Sequence, residues 1–263
     1  MSTILILGAG PAGAAVALGL RRLGYPVSIV SEWRRFPALE GVSLRVLEAL
    51  RAAGLEHALA DATLPSQRQV SWNGQQHAQN IEWLLDRPRF DRGLREDLQR
   101  AGVELIEGRV LAVQSTASGH RVQIEGHADL QADFLVESRG RQAPALGKGL
   151  RGPETVSLLN RWQGVPGATA SAVESIEQGW VWMARQADGC CYWQLTVDVA
   201  SAELPGKAQL LDYCRERRQA SALATAFFAD GTEVDVHLHA RSSTAILCPQ
   251  VCGDNWIRVG DAA

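Results

Sequence analysis

Lysine, long apolar runs and an excess of positive charge are all lacking in this 263-residue chain. The only lysines are Lys148 and Lys207, and the formal net charge is −3. This balance gives no electrostatic basis for binding nucleic acid. No apolar run reaches the roughly 20 residues of a membrane helix, and no basic segment precedes the first apolar run as in a signal peptide. We therefore expect a cytoplasmic protein without a membrane span.

A metal-ligand pattern is also lacking. The five cysteines are Cys190, Cys191, Cys214, Cys248 and Cys252. An odd number without an export signal indicates reduced thiols in the cytoplasm. His237 and His239 would share one face of a strand, but two histidines do not complete a ligand set. We expect no metal site.

A glycine-rich turn directly follows the first apolar run, Ile4–Leu7. Its residues are Gly8, Ala9, Gly10, Pro11, Ala12 and Gly13. The first glycine permits a tight turn, the second lets a pyrophosphate approach the backbone, and the third lets a helix pack closely on the strand. Proline suits the first helical turn, and a helix N-terminus favours a phosphate. The pattern predicts a dinucleotide-binding unit; the alternative is a turn that binds nothing.

Glu32 follows the next apolar run, Tyr25–Val30, at about the 20-residue spacing of the dinucleotide-binding pattern. Its carboxylate could accept hydrogen bonds from a ribose diol. The same carboxylate would repel a 2′-phosphate, which argues against NADP at this site. It does not distinguish NAD from FAD.

Helical spacing predicts three helices in the first half of the chain, each followed by a glycine. They cover Pro11–Leu23, Ser43–Ala53 and Pro88–Ala101. Val103–Glu107 and Asp133–Glu137 read as parallel strands, and the alternation over Arg109–Glu125 predicts a hairpin at Ser118-Gly119. This order predicts an α/β fold with a mostly parallel sheet and a β-meander.

After Pro153 the sequence changes to antiparallel strand patterns. Strands are expected at Thr155–Trp162, Ser171–Ala184, Cys190–Val199, Glu233–His239 and Thr244–Leu247, with one helix over Lys207–Phe228. An earlier segment, Gln69–Trp83, reads as a hairpin that turns at Asn73-Gly74 and belongs to the same sheet. We predict one domain from residues 1–68, 84–154 and 240–263, and a second from 69–83 and 155–239. The chain stops just after Gly260-Asp261, where a helix should begin, so we expect a fragment or a protein whose C-terminal part is missing.

Five separated segments together resemble one family. They are Gly8–Gly13 with Glu32, Glu40–Arg45, Asp86–Asp91, Asp133–Arg141 and Arg258–Ala263. The chain resembles the FAD-dependent monooxygenases of the para-hydroxybenzoate-hydroxylase fold, with their relatives the flavin-dependent halogenases and geranylgeranyl-reductase-like enzymes. The resemblance implies FAD as cofactor, a Rossmann-like FAD-binding domain and an antiparallel-sheet substrate domain.

The resemblance also implies roles for individual residues. In the family, the residue matching Glu32 holds the adenosine ribose, and the backbone near Val110 reaches the adenine. Residues matching Arg45 and Arg87 lie near the phosphates and ribityl chain, although both could instead lie on a solvated helix face. The residue matching Asp261 accepts a ribityl hydroxyl. Ser43 and Gly260, which adjoin these positions, complete the predicted cofactor site.

Two departures from the family bear on electron supply and on halogenation. The usual Asp-Gly pair is replaced by Ser138-Arg139-Gly140, which puts direct NADPH reduction in doubt and suggests that a separate flavin reductase or a reduced partner supplies the electrons. Trp180 and Trp182 resemble the start of a halogenase Trp-x-Trp-x-Ile-Pro element, but Ala184-Arg185 replaces its end. Halogenases also need a lysine before the third helix, and this chain has none there. The sequence disfavours halogenation.

Trp180 and Trp182 share one face of a strand and could form a wall of a substrate pocket, or could simply pack between sheets. Together with Ser138–Arg141 and Trp72–Gly74 they resemble the flavoproteins that accompany quinone-cofactor oxidases and oxygenate a tryptophan of the partner chain. We therefore predict a flavin monooxygenase acting on an aromatic substrate, either free or part of such an oxidase. The alternatives are a small-molecule flavin reductase or dehydrogenase, a halogenase, and an inactive truncated relative. No catalytic residue is identified.

Overall fold

The computed structural model of the protein describes residues 2–33, 36–144, 149–228, 231–234 and 238–263, without the side chains of Gln79 and Phe228. These residues form five α-helices: α1 (Pro11–Arg22), α2 (Leu44–Ala52), α3 (Arg87–Arg100), α4 (Leu210–Ala220) and α5 (Ala222–Phe228). The first three match the predicted helices to within one residue at each end. Gly24, Gly54 and Gly102, which follow them, all have positive φ, as expected of glycines that end helices. Over the described ranges, no helix combines the length and apolarity required to cross a membrane.

The described residues also form twenty β-strands. They are β1 (Ile4–Leu7), β2 (Val27–Ser31), β3 (Leu39–Val42), β4 (Ser66–Trp72), β5 (Gln75–Asp86), β6 (Glu104–Glu107), β7 (Val110–Thr116), β8 (Gly119–Ile124), β9 (Leu130–Ala132), β10 (Phe134–Glu137), β11 (Leu150–Arg151), β12 (Thr155–Gln163), β13 (Ala170–Ile176), β14 (Gly179–Arg185), β15 (Cys190–Asp198), β16 (Thr232–Glu233), β17 (His239–Ser242), β18 (Ile246–Leu247), β19 (Cys252–Gly253) and β20 (Trp256–Arg258). Three 3₁₀ turns lie at Gly140–Gln142, Lys207–Gln209 and Gly260–Ala262.

A six-stranded sheet, ordered β19-β20-β10-β1-β2-β6, carries the glycine-rich turn. β1 pairs in parallel with β2 and β10, and β6 and β20 continue the parallel pairing on the two sides. All of β1 is buried, as expected of a strand covered on both faces. Ile4 and Ile6 pack in one core with α1 and α3, while Leu5 and Leu7 pack against the β7-β8-β9 meander. The carboxyl ends of the parallel strands therefore meet at one edge, where ligands bind in such sheets.

A nine-stranded sheet is ordered β16-β12-β15-β14-β13-β4-β5-β3, with β17 also paired to β12. Asn73 and Gly74 form the predicted turn between β4 and β5, with φ of 49° and 75°. One face of the sheet packs against α4 and α5. Because side chains alternate along a strand, Trp182 and Tyr192 lie on the other face, in a cluster with Leu39 and Leu84.

Three expectations about the second half of the chain need correction. The predicted strand Ser171–Ala184 is two strands, β13 and β14, joined by a turn at residues 177–178. The predicted helix Lys207–Phe228 breaks at Ser221, whose hydroxyl accepts a hydrogen bond from the Ala224 N–H (2.9 Å) and caps α5. The predicted strand Glu233–His239 is divided between β16 and β17, and residues 235–237, including His237, lie outside the described residues.

Candidate functional site

The glycine-rich turn is tightly packed at two of its three glycines. Gly8 has a φ of 104°, and a Cβ there would come within 2.6 Å of the Ser138 carbonyl oxygen. A Cβ on Gly13 would come within 2.1 Å of the Gly8 carbonyl oxygen and 2.5 Å of Ser138 Oγ. These two glycines let α1 cross the ends of β1 and β10 at close range, as the sequence predicted.

Gly10 faces open space instead. A Cβ on Gly10 would meet no described atom within 4 Å, and Gly10 and Pro11 are only half-buried. Pro11 begins α1, whose first turn holds no acidic residue. The N–H groups of a helix's first turn lack intrahelical partners, so they point a positive partial charge at this open side. The turn therefore fits a diphosphate.

Ser138 joins β10 to this turn, a role that the sequence did not reveal. Its hydroxyl oxygen lies 2.8 Å from the Leu7 carbonyl oxygen and 2.7 Å from the Gly8 carbonyl oxygen, and its N–H also donates to Leu7 (2.8 Å). The next side chain, Arg139, turns back onto the buried Glu137 carboxylate, with Nε 2.9 Å from Oε1. Thus the Ser138-Arg139 pair fixes the backbone at the sheet edge.

The C-terminal Gly-Asp pair lies beside the same turn. β20 runs parallel to β10 and delivers Gly260, whose φ is 62° and whose hypothetical Cβ would lie 2.8 Å from the Ala12 Cβ. Asp261 is exposed, and its Cβ lies 3.8 Å from the Cβ position of Gly140. The buried Arg258 guanidinium donates to the Ala262 carbonyl (2.9 Å) and to the Pro144 carbonyl. These bonds connect the 3₁₀ turn at Gly260–Ala262 to the segment that follows Gly140–Gln142.

Glu32 and Val110 lie shortly after two neighbouring strands of the six-stranded sheet, β2 and β6. Glu32 is exposed and directly follows β2, and Val110 begins β7, shortly after β6, the parallel neighbour of β2. A cavity lies next to Glu32. Its polar lining includes Ser31, Trp33, Arg95 and Glu107. The Arg95 guanidinium lies 4.2 Å from the Trp33 ring centroid and 3.2 Å from the Glu107 carboxylate.

Ser43, Arg45 and Arg87 lie around the start of α2 and α3. Ser43 precedes α2 without a capping hydrogen bond from its side chain, and both Ser43 and Arg45 are exposed. Arg87 is buried at the start of α3, where it pairs with Glu40 (2.8 Å) and Asp91 (2.7 Å). Burial alone would lower the pKa of Arg87, but the two carboxylates raise it above its ordinary value. Arg87 thus ties β3 to α3, a role that the sequence did not indicate.

The two predicted substrate residues differ in their surroundings. Trp180 is 37% exposed, and Trp182 packs beside Leu39, Leu84 and Tyr192. The structure therefore places both on one face, as predicted, but only Trp180 presents a large part of its indole to solvent.

Comparison with known proteins gives the family. Residues 1–250 match the family model described as FAD binding domain. The chain is 62% identical to the solved structure of QhpG, a peptidyl tryptophan dihydroxylase essential for tryptophylquinone cofactor biogenesis, with a TM-score of 0.92 over 100% of this chain and 60% of that one. The tryptophan 2-halogenase of Chondromyces crocatus is 21% identical over 292 residues, 98% of this chain and 55% of that protein.

A third comparison supports the fold alone. The flavin-dependent brominase Bmp2 is 16% identical, with a TM-score of 0.83 over 99% of this chain and 72% of that one. The chain thus spans about three-fifths of the QhpG structure and just over half of the halogenase. The predicted α/β fold and FAD cofactor are confirmed. Since the family model covers most of its length, the chain belongs to the FAD-binding domain family.

Proposed function

We propose that this protein oxygenates a tryptophan-type ring carried by a protein chain, using FAD. The observation that carries the proposal is 62% identity, over the whole of this chain, to a peptidyl tryptophan dihydroxylase. Bound FAD supplies redox chemistry with O₂ that side chains lack. The residues of this chain hold the cofactor, position the ring and exclude water.

We infer that the diphosphate lies on the open side of the Gly8–Gly13 turn, against the first turn of α1. Glu32 would accept hydrogen bonds from the adenosine ribose, and the backbone near Val110 would contact the adenine. Asp261 would accept a hydrogen bond from a ribityl hydroxyl. Each of these groups lies at the carboxyl edge of the six-stranded sheet or beside it, which supports a single extended cofactor.

Arg45 is the better candidate for a phosphate contact than Arg87. Arg87 is buried and already neutralised by Glu40 and Asp91, whereas Arg45 is exposed close to the end of β3. A guanidinium with free N–H groups can form a bidentate pair with phosphate. Ser43, at the N-terminus of α2, would lie beside it.

We place the substrate ring against the nine-stranded sheet, beside Trp180. The partly exposed indole of Trp180 offers an apolar wall for another aromatic ring. Trp182 and Tyr192 would support that wall from the cluster with Leu39 and Leu84. The partner would be a quinone-cofactor oxidase precursor rather than a free amino acid.

We further propose that a separate reductase supplies the electrons. Ser138 and Arg139 stand where the family's Asp-Gly pair is expected, and both side chains are engaged within the protein. A cytoplasmic location agrees with this scheme, since the five cysteines form no disulfide.

The test is a reaction of the FAD-loaded protein with O₂, a flavin reductase and the precursor subunit of a quinone-cofactor oxidase. Mass spectrometry should show that a tryptophan of the subunit gains oxygen. Free tryptophan and an anaerobic reaction serve as controls. Modification of free tryptophan alone would favour a small-molecule enzyme, and halide incorporation would favour a halogenase. No product with any of these substrates would refute the proposed activity.

A further inference from the structure

Four polar side chains form a cluster on the nine-stranded sheet, away from the glycine-rich turn. Ser66 and Arg68 belong to β4, Glu82 to β5 and Ser171 to β13. Ser66 is paired directly with Glu82, and the parallel register of Ala172 with Gln69 puts Ser171 beside Arg68. Strand alternation therefore places all four side chains on the face that also carries Trp182 and Tyr192.

Each member of this polar cluster contains a buried atom with no hydrogen-bond partner among the described protein atoms. These atoms are Ser66 Oγ, Arg68 Nε, Glu82 Oε2 and Ser171 Oγ. One long contact links the two charged groups, with Arg68 Nη1 3.4 Å from Glu82 Oε1. The bidentate geometry preferred by guanidinium and carboxylate would also use Nε and the second oxygen. In this protein neither Arg68 Nε nor Glu82 Oε2 takes part in the ion pair.

Unpaired polar atoms in a protein interior are costly, and four together would cost free energy comparable to the stability of a whole domain. The four atoms comprise one N–H donor, one carboxylate acceptor and two hydroxyls that can each donate or accept. Water can both donate and accept hydrogen bonds, so it can pair with all of them. The atoms are closed to solvent, so a larger ligand could not reach them. Buried waters typically make about three hydrogen bonds to such groups.

We propose that Ser66, Arg68, Glu82 and Ser171 bind internal water, which bridges Arg68 Nε to Glu82 Oε2, and that the Glu82 side chain held in this way positions β3 for FAD. The second part rests on Gly41 in β3. A Cβ on Gly41 would come within 2.1 Å of the Glu82 carboxylate oxygen Oε1. The carboxylate thus lies directly against the backbone of β3, which leads into Ser43 and Arg45.

This inference depends on the FAD site and not on the oxygenation reaction, so its test uses binding and structure. In a high-resolution crystal structure of the FAD-loaded protein, ordered water should lie within hydrogen-bond distance of Arg68 Nε and Glu82 Oε2. Dry van der Waals contact between the four side chains would overturn the water site.

Three variants test the effect on FAD, by titration of the apoprotein together with thermal unfolding. E82Q keeps the shape and polarity of the side chain, so its FAD affinity should stay within about twofold of the wild type. E82L should bind FAD about tenfold more weakly, because branched methyl groups would press on Gly41 and leave Arg68 unpaired. The double variant R68M/E82L should regain thermal stability, since replacing both partners removes the unpaired charge.

The double variant separates positioning from stability. Its FAD affinity should remain about tenfold low despite the recovered melting temperature. Recovery of both would show that the cluster only stabilises the fold and would overturn the positioning role. If E82L does not fold, the FAD affinities of E82Q and of the double variant still distinguish a positioning role from a purely stabilising one. R218M is the control: it breaks the 2.9 Å contact of Arg218 with Asn160 on the opposite face, and should lower the melting temperature without changing FAD affinity.

Discussion

Gly260 lies against Ala12, so close that a Cβ on the glycine would sit 2.8 Å from the alanine Cβ. The contact brings the last 3₁₀ turn of the chain onto the first turn of α1. Parallel pairing of β20 with β10, and of β10 with β1, produces this approach. The segments around Ala12 and Gly260, which are distant in the sequence, are therefore packed together at one edge of the sheet.

Replacing Gly260 by alanine should disturb that contact. The φ of 62° is unfavourable for an L-residue, and the added methyl would clash with Ala12. We expect a loss of about 1–3 kcal/mol in the free energy of unfolding, together with weaker FAD binding. Urea unfolding and FAD titration measure the two effects. Gly167→Ala is the control, because its Cβ would meet nothing within 4 Å. Unchanged FAD affinity in Gly260→Ala would show that the Gly260–Ala12 contact is not part of the cofactor site.

Gly10 and Gly13 should respond differently to the same substitution. Gly10→Ala adds a methyl to open space, so the free energy of unfolding should change by less than about 0.5 kcal/mol while FAD binding is lost. Gly13→Ala would press on the Gly8 carbonyl and should cost about 1–3 kcal/mol in folding. Apoprotein stability and FAD titration distinguish the two. Normal FAD binding by Gly10→Ala would contradict a diphosphate on the open side of the turn.

Glu32→Ala tests the ribose contact. Loss of a charged hydrogen-bond acceptor should weaken FAD binding by about 1–3 kcal/mol without unfolding the protein, since Glu32 is exposed. Glu104 is a suitable control, because it is an exposed carboxylate on the neighbouring strand β6 and is bonded to Ser28 (2.6 Å). If Glu32→Ala retains FAD as well as Glu104→Ala does, Glu32 does not hold the ribose.

Local signals in the sequence predicted much of this fold. Helix ends followed from glycines that can adopt positive φ, as at Gly24 and Gly54, and the hairpin at Asn73-Gly74 followed from the turn type that these two residues favour. Such features depend on a few neighbouring residues. The break at Ser221 escaped prediction because serine, although it favours N-caps, also occurs inside helices, and no glycine or proline adjoins it.

The parts of the site that escaped prediction are contacts between distant segments. Ser138 holds Gly8 across 130 positions of the chain, and Arg87 pairs with Glu40 as well as with its helical neighbour Asp91. Helical spacing could have suggested the Arg87–Asp91 pair, but no periodicity links Arg87 to Glu40. Sequence alone therefore located the glycine-rich turn but not Ser138, the distant side chain that holds it in place, nor the Arg87–Glu40 pair.

The buried cysteines should resist alkylation and make the fold sensitive to alkali. Burial raises the pKa of Cys191 and of Cys214 from 9.0 to about 12. Their folded-state pKa exceeds the unfolded value, so their contribution to stability is full below about pH 9 and is lost as pH rises toward 12. At about pH 8, iodoacetamide should label the exposed Cys252 and spare these two; in urea it should label all three. Rapid native labelling of Cys214 would contradict this burial.

Trp180 and Trp182 should separate substrate binding from stability. Trp182 packs with Leu84 and Tyr192, so Trp182→Ala should lower the free energy of unfolding by about 3 kcal/mol. Trp180 is 37% exposed, so Trp180→Ala should cost about 1 kcal/mol or less. The Trp180→Ala variant should still bind FAD normally, but it should lose affinity for the aromatic substrate because the apolar wall is removed. Steady-state kinetics would then show a raised KM. Tyr25→Ala, an exposed aromatic residue outside the sheet, controls for lost surface area. An unchanged KM in Trp180→Ala would place the substrate elsewhere.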